Sequence, residues 1–453
     1  MEQVRTYTAK RKSSYIKNSY ENKGLYVLSV IFLVVYYIVP QYFGLSVAGF
    51  DLTAQRLMML IMFFYIISFN DIKNRFFDII RHSIYLPYII VFMCVTMYTM
   101  VLRVDINTFM QSAIEFICMY ILVYIIKDVL GIKRTLQIIK VLLFIMCLQG
   151  IVEYVIQFSL FQYLETLPGK INIQIRSGSY RIMGPCNHAL AYGLVLISSF
   201  PLICVDLEKK ALNLLQNKIL FMLVMLNIFL TGSRSALAIF IIEVLFIIIL
   251  SDRENKKKTI IFLFCFLLIS VIAVLGFYNT SFSQTVLRQF ASIFDELFGT
   301  QWAVKFGAEV ERLSQSSSYR ELLPKIFKQS WLNPLIGRGV SRHFSAVIDG
   351  YTIMSIDNFF VAQYIRYAYP GLIAYVLLLI NTLVKMLKNV KKNKGLVLAC
   401  LFGFFSYYMN LWFMDALQTL KYVYMLMAIF EVILIENNKT ADTKQIKKSK
   451  YIK

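Results

Sequence analysis

The residues that could do chemistry in this chain are few, and long apolar runs separate them. Arg56, Glu115, Glu153, Glu243, Arg366 and Lys421 lie within or at the edge of such runs. An ionisable side chain is costly there and is by default a candidate for function. Arg181 and His188 flank the turn Gly184-Pro185, and Arg234 stands in the short stretch Thr231-Gly232-Ser233-Arg234-Ser235. Glycine permits a tight reversal there, and the hydroxyls can cap the helix that follows. A guanidinium beside free backbone N–H groups suits a phosphate, although an arginine that only anchors the loop would leave the same pattern. His188 has the chemistry of an acid, a base or a hydrogen-bond donor, and is equally a plain helix cap.

Towards the C-terminus, Asn333-Pro-Leu-Ile-Gly337-Arg338-Gly339-Val340 has two glycines that could let backbone approach a ligand, and His343 follows it. Asp357-Asn358 offers a carboxylate as a candidate general base, or a solvated helix cap. Arg56 and Lys421, taken alone, also read as side chains that snorkel to a membrane interface. Glu115 and Glu243 read equally as partners inside a bundle and as groups for a substrate. A metal centre is not expected. The chain has three histidines, and its seven cysteines sit in or at the rim of apolar runs with no CxxC pair, as small core hydrophobes do.

The elements that must position these groups are membrane helices. Of 453 residues, 58% are hydrophobic and 16% charged, too little charge to cover a soluble domain of this length. The formal charge of +21 does not point to nucleic acid, because the basic residues cluster beside apolar runs, where they act as topology signals. The first apolar run is too long for a cleavable leader, and no small-residue cleavage site follows it. The pattern predicts an all-α polytopic membrane protein with about twelve transmembrane helices, near 25–45, 52–69, 84–101, 108–126, 135–157, 186–205, 219–232, 235–250, 259–277, 361–384, 395–412 and 418–436. Pro370-Gly371 should break the tenth.

With the N-terminus inside, thirty Lys and Arg fall in the inner segments, and five in the outer segments other than one long loop. That asymmetry predicts cytoplasmic termini and an even number of spans. The organisation expected is a basic cytoplasmic tail at 1–24, transmembrane helices one to nine over 25–277, an extracytoplasmic loop at 278–360, helices ten to twelve over 361–436, and a disordered basic cytoplasmic tail at 437–453. Phe282–Leu297 and Arg320–Trp331, in the long loop, mix apolar and charged residues in the manner of short amphipathic helices.

Taken in order, these segments resemble the O-antigen ligase and polysaccharide polymerase family of membrane glycan-assembly proteins. The resemblance rests on Arg181 to Gly193, Thr231 to Ala236, Ser318-Tyr-Arg320, Leu335 to Gly339, and Asp357-Asn358 followed by Tyr369-Pro-Gly371. It implies a GT-C-like fold in the plasma (inner) membrane and a polymerase, such as builds O-antigen or capsule. Such an enzyme moves a glycan from a polyprenyl-diphosphate-linked oligosaccharide to the hydroxyl of another lipid-linked repeat, without nucleotide sugar, metal or cofactor. Carried over by position, Arg234 and Arg320 would hold the diphosphate and Arg181 would support them. His188, Arg56, Arg338, His343, Asn358 and Arg366 would be substrate-binding. Many members carry His-Asn where this chain has Asp357-Asn358, so the base could be Asp357, His343 or His188. A flippase and a chain-length regulator of the same pathway are the partners implied. A ligase using another acceptor, and a non-enzymatic flippase or transporter, are the rival readings.

Overall fold

The computed structural model describes residues 23–47, 50–173, 175–176, 179–307, 321–353, 355–391 and 393–450. Arg320 and the first 22 residues, including most of the basic N-terminal tail, lie outside them. The chain is mostly helical. Apolar runs take this form because a helix satisfies its own backbone groups without water.

The first half begins with α1 (Lys23–Ile38), followed by a hairpin of β1 (Gly44–Val47) and β2 (Phe50–Thr53). Helices α2 (Ala54–Ser68) and α3 (Asn70–Arg81) come next, then α4 (Leu86–Arg103), α5 (Ile106–Tyr124) and α6 (Gly131–Ile156). After the hairpin β3 (Ile175–Arg176) and β4 (Ser179–Tyr180) stands α7 (Ala189–Ile203). The hairpin β5 (Val205–Asp206) and β6 (Ala211–Leu212) leads into α8 (Lys218–Leu230), α9 (Arg234–Leu250) and α10 (Arg253–Gly276). The long loop holds α11 (Ser281–Phe298) and the hairpin β7 (Ala346–Ile348) and β8 (Tyr351–Ile353). Helices α12 (Phe359–Asn389), α13 (Lys394–Asn410) and α14 (Leu420–Lys450) close the chain.

Each of the twelve expected spans falls on one of these helices. By length and composition, five helical segments among the described residues are apolar enough to cross a membrane, or six if α2 and α3, bent by 112°, count as one broken span. The apolar part of α14 is 83% buried and forms the centre of the bundle, against α5, α7 and α13. α10 is 6% buried, so its apolar surface faces outward nearly all round. Five of the seven cysteines are buried among core side chains, and Cys94 and Cys265 sit on exposed helix faces.

Four expectations need amendment. The fold is not purely helical: among the described residues, four two-stranded hairpins stand in the connections between helices. The segment 70–83, left between the second and third expected spans, contains the amphipathic α3, which buries Ile72, Phe76 and Ile79 and leaves its charges outside. The tail at 437–450, expected to be disordered, continues α14 as helix; it contains no glycine or proline to stop it. In the long loop α11 matches the amphipathic prediction, while in the described part of the second stretch the helical residues Glu321 and Leu322 give way to a 3₁₀ turn at Leu323–Lys328. That turn joins β7 and β8 in a small second core of Leu323, Ile326, Phe344 and Ile353 against the first turns of α12.

The expected break in the tenth span is real. Ala368 has φ +55°, and Pro370 lies inside α12. Three backbone groups that the break frees are taken up by residues 334–339 of the long loop. Arg338 N–H donates to Ile365 O at 2.8 Å, Gly339 N–H to Arg366 O at 3.0 Å, and Tyr369 N–H to Pro334 O at 3.1 Å.

Candidate functional site

A cavity of about 380 Å³ opens where the N-terminal ends of α2, α5, α7 and α14 converge. From α2 come Gln55 and Arg56, from α5 Asn107, Gln111, Glu115 and Cys118, and from α14 Lys421 and Tyr422. Pro185, Cys186 and Asn187 precede α7, Asp51 and Thr53 belong to β2, and Val340 and Ser341 reach in from the long loop. Helix N-termini expose unpaired N–H groups and carry partial positive charge, so their convergence favours an anion.

The polar lining is built in. Asn107, Gln111 and Glu115 recur every four residues and therefore share one face of α5. Arg56 lies half-buried, and its guanidinium donates to Asp51 O at 2.6 Å, while Lys170 pairs with the Asp51 carboxylate at 2.9 Å. Lys421 is 4% exposed. Its ammonium donates to Tyr36 O at 2.5 Å and lies 4.9 Å from the Tyr422 ring centroid and 5.5 Å from that of Tyr36. It is therefore held inside the bundle and does not snorkel. Glu115 stands within electrostatic reach of both Arg56 and Lys421, and its Oε2 is buried without a hydrogen-bond partner. Gln41, on the segment after α1, donates to Gln55 at 3.1 Å, and Gln418 donates to Asn187. Amides, two carboxylates and three cations thus surround one volume, able both to donate to and to accept from a ligand rich in hydroxyls.

The segment before α7 is pinned from behind. Glu153, at the end of α6 and 1% exposed, accepts Met183 N–H and Gly184 N–H, each at 2.9 Å, and Tyr180 O–H at 3.0 Å. Arg181 is buried and donates from Nε to Thr231 O at 2.7 Å. A Cβ at Gly232 would stand 3.0 Å from that Nε, so the turn before α9 needs its glycine, whose φ is +61°. Ser233 then caps α9 by accepting Ala236 N–H at 3.4 Å. His188 accepts Ala191 N–H at 3.0 Å on Nδ1, which makes it the cap of α7, with Arg181 in electrostatic reach.

Of the expected site residues, the structure sets Arg56 in the cavity wall and His188 and Arg181 just behind it. Arg320 lies outside the described residues, and the others lie away from the cavity lining. Arg234 is half-buried at the start of α9, where it faces Asp295 of α11 electrostatically. Arg366 forms a two-pronged ion pair with Asp415. Arg338 lies over the rings of Trp331 at 5.3 Å and Phe344 at 5.9 Å, and His343 is exposed beside it. Asn358 caps α12, accepting from Phe360 and Val361 N–H, and donates to Trp412 O at 3.0 Å. Asp357 is exposed and accepts from Ser355 at 3.0 Å, away from the cavity lining. Gly337 and Gly339 do let backbone approach closely, but the partner is the protein itself. A Cβ at Gly337 would fall 2.0 Å from Arg366 O, and one at Gly339 2.5 Å from an Asp105 carboxylate oxygen.

Asp105, between α4 and α5, holds the same loop from the other side. It accepts Val340 N–H at 3.0 Å, Ser341 N–H at 3.1 Å, Ser341 O–H at 2.8 Å and Thr108 O–H at 2.7 Å. Burial alone would raise its pKa, but these four donors hold the carboxyl below its ordinary value. Arg103 adds bonds to Gly337 O at 2.7 Å and Ile336 O at 3.2 Å. The loop that brings Val340 and Ser341 to the cavity is thus clamped between the α4–α5 turn and the break in α12.

The residues that sequence reading missed are the amides and Lys170. One signal was present: the four-residue spacing of Asn107, Gln111 and Glu115 along an otherwise apolar helix. Gln41, Lys170 and Gln418 carry no such signal, because only the fold brings their separate loops together. Comparison of the chain with models of known protein families and with curated proteins gives no match.

Proposed function

We propose that this protein is a membrane glycan-assembly enzyme, a polymerase that transfers a glycan from a polyprenyl-diphosphate-linked oligosaccharide to a hydroxyl of another lipid-linked repeat. The observation that carries the reading is the amide-lined cavity that unites Arg56, Lys421 and Glu115 at the helix N-termini. Sugar hydroxyls need donors and acceptors together, and a diphosphate needs fixed positive charge. The cavity supplies both at the end of an apolar bundle, where a lipid-borne substrate would present its headgroup. In this reading all twelve apolar helices cross the membrane in a GT-C-like arrangement, both termini are cytoplasmic, and the cavity opens on the extracytoplasmic side.

The chemistry is displacement at the anomeric carbon, with charge developing on the departing diphosphate. Arg56 and Lys421 are preorganised to meet that charge, and such preorganisation is usually the largest catalytic contribution. Arg56 offers a planar fork for two oxygens, while Lys421 acts as a point charge held between tyrosine rings.

The test is direct. The purified full-length protein in lipid nanodiscs, given polyprenyl-diphosphate-linked oligosaccharide alone, should yield lipid-linked products two and more repeats long. Elongation only when a different acceptor is added would favour a ligase. Translocation of the donor across vesicles with no new glycosidic bond would overturn the enzymatic reading. Labelling of Ser345→Cys from the extracytoplasmic side alone is the topology expected.

A further inference from the structure

We infer that Glu115, not a residue of the long loop, is the group that takes the proton from the acceptor hydroxyl. The inference rests on the glycan-transfer reading and names a further residue for it. A base for this reaction must face the volume in which the sugar sits, must have a free lone pair, and must lie close to the charges that hold the leaving group. Among the described residues that line the cavity, Asp51 and Glu115 are the carboxylates. Asp51 is paired with Lys170 at 2.9 Å. Glu115 has a buried Oε2 with no hydrogen-bond partner, although a buried carboxylate oxygen without one is costly. An acceptor hydroxyl in the cavity would supply the missing donor. Asp357 and His343, on the long loop, are exposed and stand outside the lining. His188 lines no part of the cavity and has its Nδ1 engaged by Ala191 N–H.

The groups that face Glu115 fit the role. Arg56 on α2 and Lys421 on α14 bring two positive charges to its one negative charge. Cys118 on its own helix and Tyr36 on α1 also lie in electrostatic reach. Tyr375 on α12, Tyr407 on α13 and Tyr424 on α14 complete the surround, all of them weak acids that stay protonated at neutral pH. Glu115 is thus the one carboxylic acid of that surround.

The step balances. The acceptor oxygen forms a bond to the anomeric carbon as its proton passes to Glu115 Oε2. The bond from that carbon to the diphosphate oxygen breaks, and its electron pair leaves on the diphosphate beside Arg56 and Lys421. The proton then passes to water at the cavity mouth, where Lys170 and Asp51 are partly exposed.

The test uses the full chain in nanodiscs with polyprenyl-diphosphate-linked oligosaccharide, reading product per inserted protein from pH 5 to 9 and donor binding separately. Glu115→Gln should bind donor within a few-fold of wild type, lose a hundredfold or more of turnover, and lose the fall in rate on the acid side. Glu115→Asp should recover part of the rate and keep that acid limb. Glu115→Gln with near-normal turnover overturns the inference, as does a slow Glu115→Gln that keeps the wild-type acid limb. A wild-type protein that neither binds nor extends the donor overturns the glycan-transfer reading instead, and the inference falls with it.

Discussion

Gly339 donates its backbone N–H to the carbonyl of Arg366 at 3.0 Å, in the place of the N–H that Pro370 lacks. Helix α12 can therefore break at Ala368 without leaving that carbonyl unpaired, and the long loop gains a backbone dock on the bundle. Gly339 has φ +84°, and a Cβ there would meet the Asp105 carboxylate at 2.5 Å. Gly339→Ala should combine backbone strain of about 1–3 kcal/mol with that clash, lower the thermal midpoint, and open the long loop to protease. Gly169→Ala is the control: its φ is +74°, but nothing lies within 4 Å of the new Cβ. Equal loss in the two variants would mean that the dock contributes nothing beyond strain.

The Asp105 latch predicts a pH dependence with a defined sign. Its folded pKa lies below the ordinary 3.8, because the donors of Thr108, Ser341 and Val340 outweigh burial. A depressed carboxyl contributes stability that is fully present above the unfolded value and is lost as pH falls through the folded value. The midpoint difference between wild type and Asp105→Asn should stay constant from pH 8 to about 5 and shrink below pH 3.8. A difference that instead vanished between pH 6 and 8 would show that Asp105 titrates in the wrong range for this latch.

Glu153 has a structural role, and its loss should reach the cavity indirectly. Glu153→Ala leaves Met183 N–H, Gly184 N–H and Tyr180 O–H without an acceptor, at about 1–3 kcal/mol for each group that stays buried and unpaired. Yield and midpoint should fall together. Glu153→Gln should be milder, because one amide oxygen still accepts. Equal midpoints for Glu153→Ala and wild type would remove the anchor.

Much of the helical scaffold was legible because apolar run length is a local property of the chain. The break at Pro370 and the tight turn at Gly232 were legible for the same reason, since each follows from one residue's backbone limits. The site was less so. Asp357, Arg366 and Arg338 have the right chemistry in sequence, yet Ser355, Asp415 and two aromatic rings occupy them. Lys421 looked like an interface residue because sequence does not reveal that Tyr36, 385 positions away, closes over it. The cavity gathers seven separate stretches of chain, and no local pattern reports such convergence.

Arg56 and Arg234 separate two versions of the mechanism. Each is an arginine at a helix N-terminus, and the resemblance to glycan polymerases favours Arg234 as the diphosphate clamp. The geometry favours Arg56, which lines the cavity with Lys421 and Glu115, while Arg234 faces Asp295. If Arg56 meets the leaving group, Arg56→Ala should remove about 3 kcal/mol of transition-state stabilisation, a rate loss of roughly a hundredfold or more. Arg56→Lys should recover only part, because the charge returns without the planar fork. Arg234→Ala should lower midpoint and yield but leave product per inserted protein within a few-fold, and Asp295→Asn should resemble it, because Asp295 closes the end of α11 by accepting Thr300 O–H, Trp302 N–H and Ala303 N–H, with Arg234 in electrostatic reach. Turnover per inserted protein and thermal midpoint for the four variants decide the matter. A hundredfold loss in Arg234→Ala with near-normal turnover in Arg56→Ala would move the diphosphate to the start of α9 and empty the cavity of its proposed leaving group.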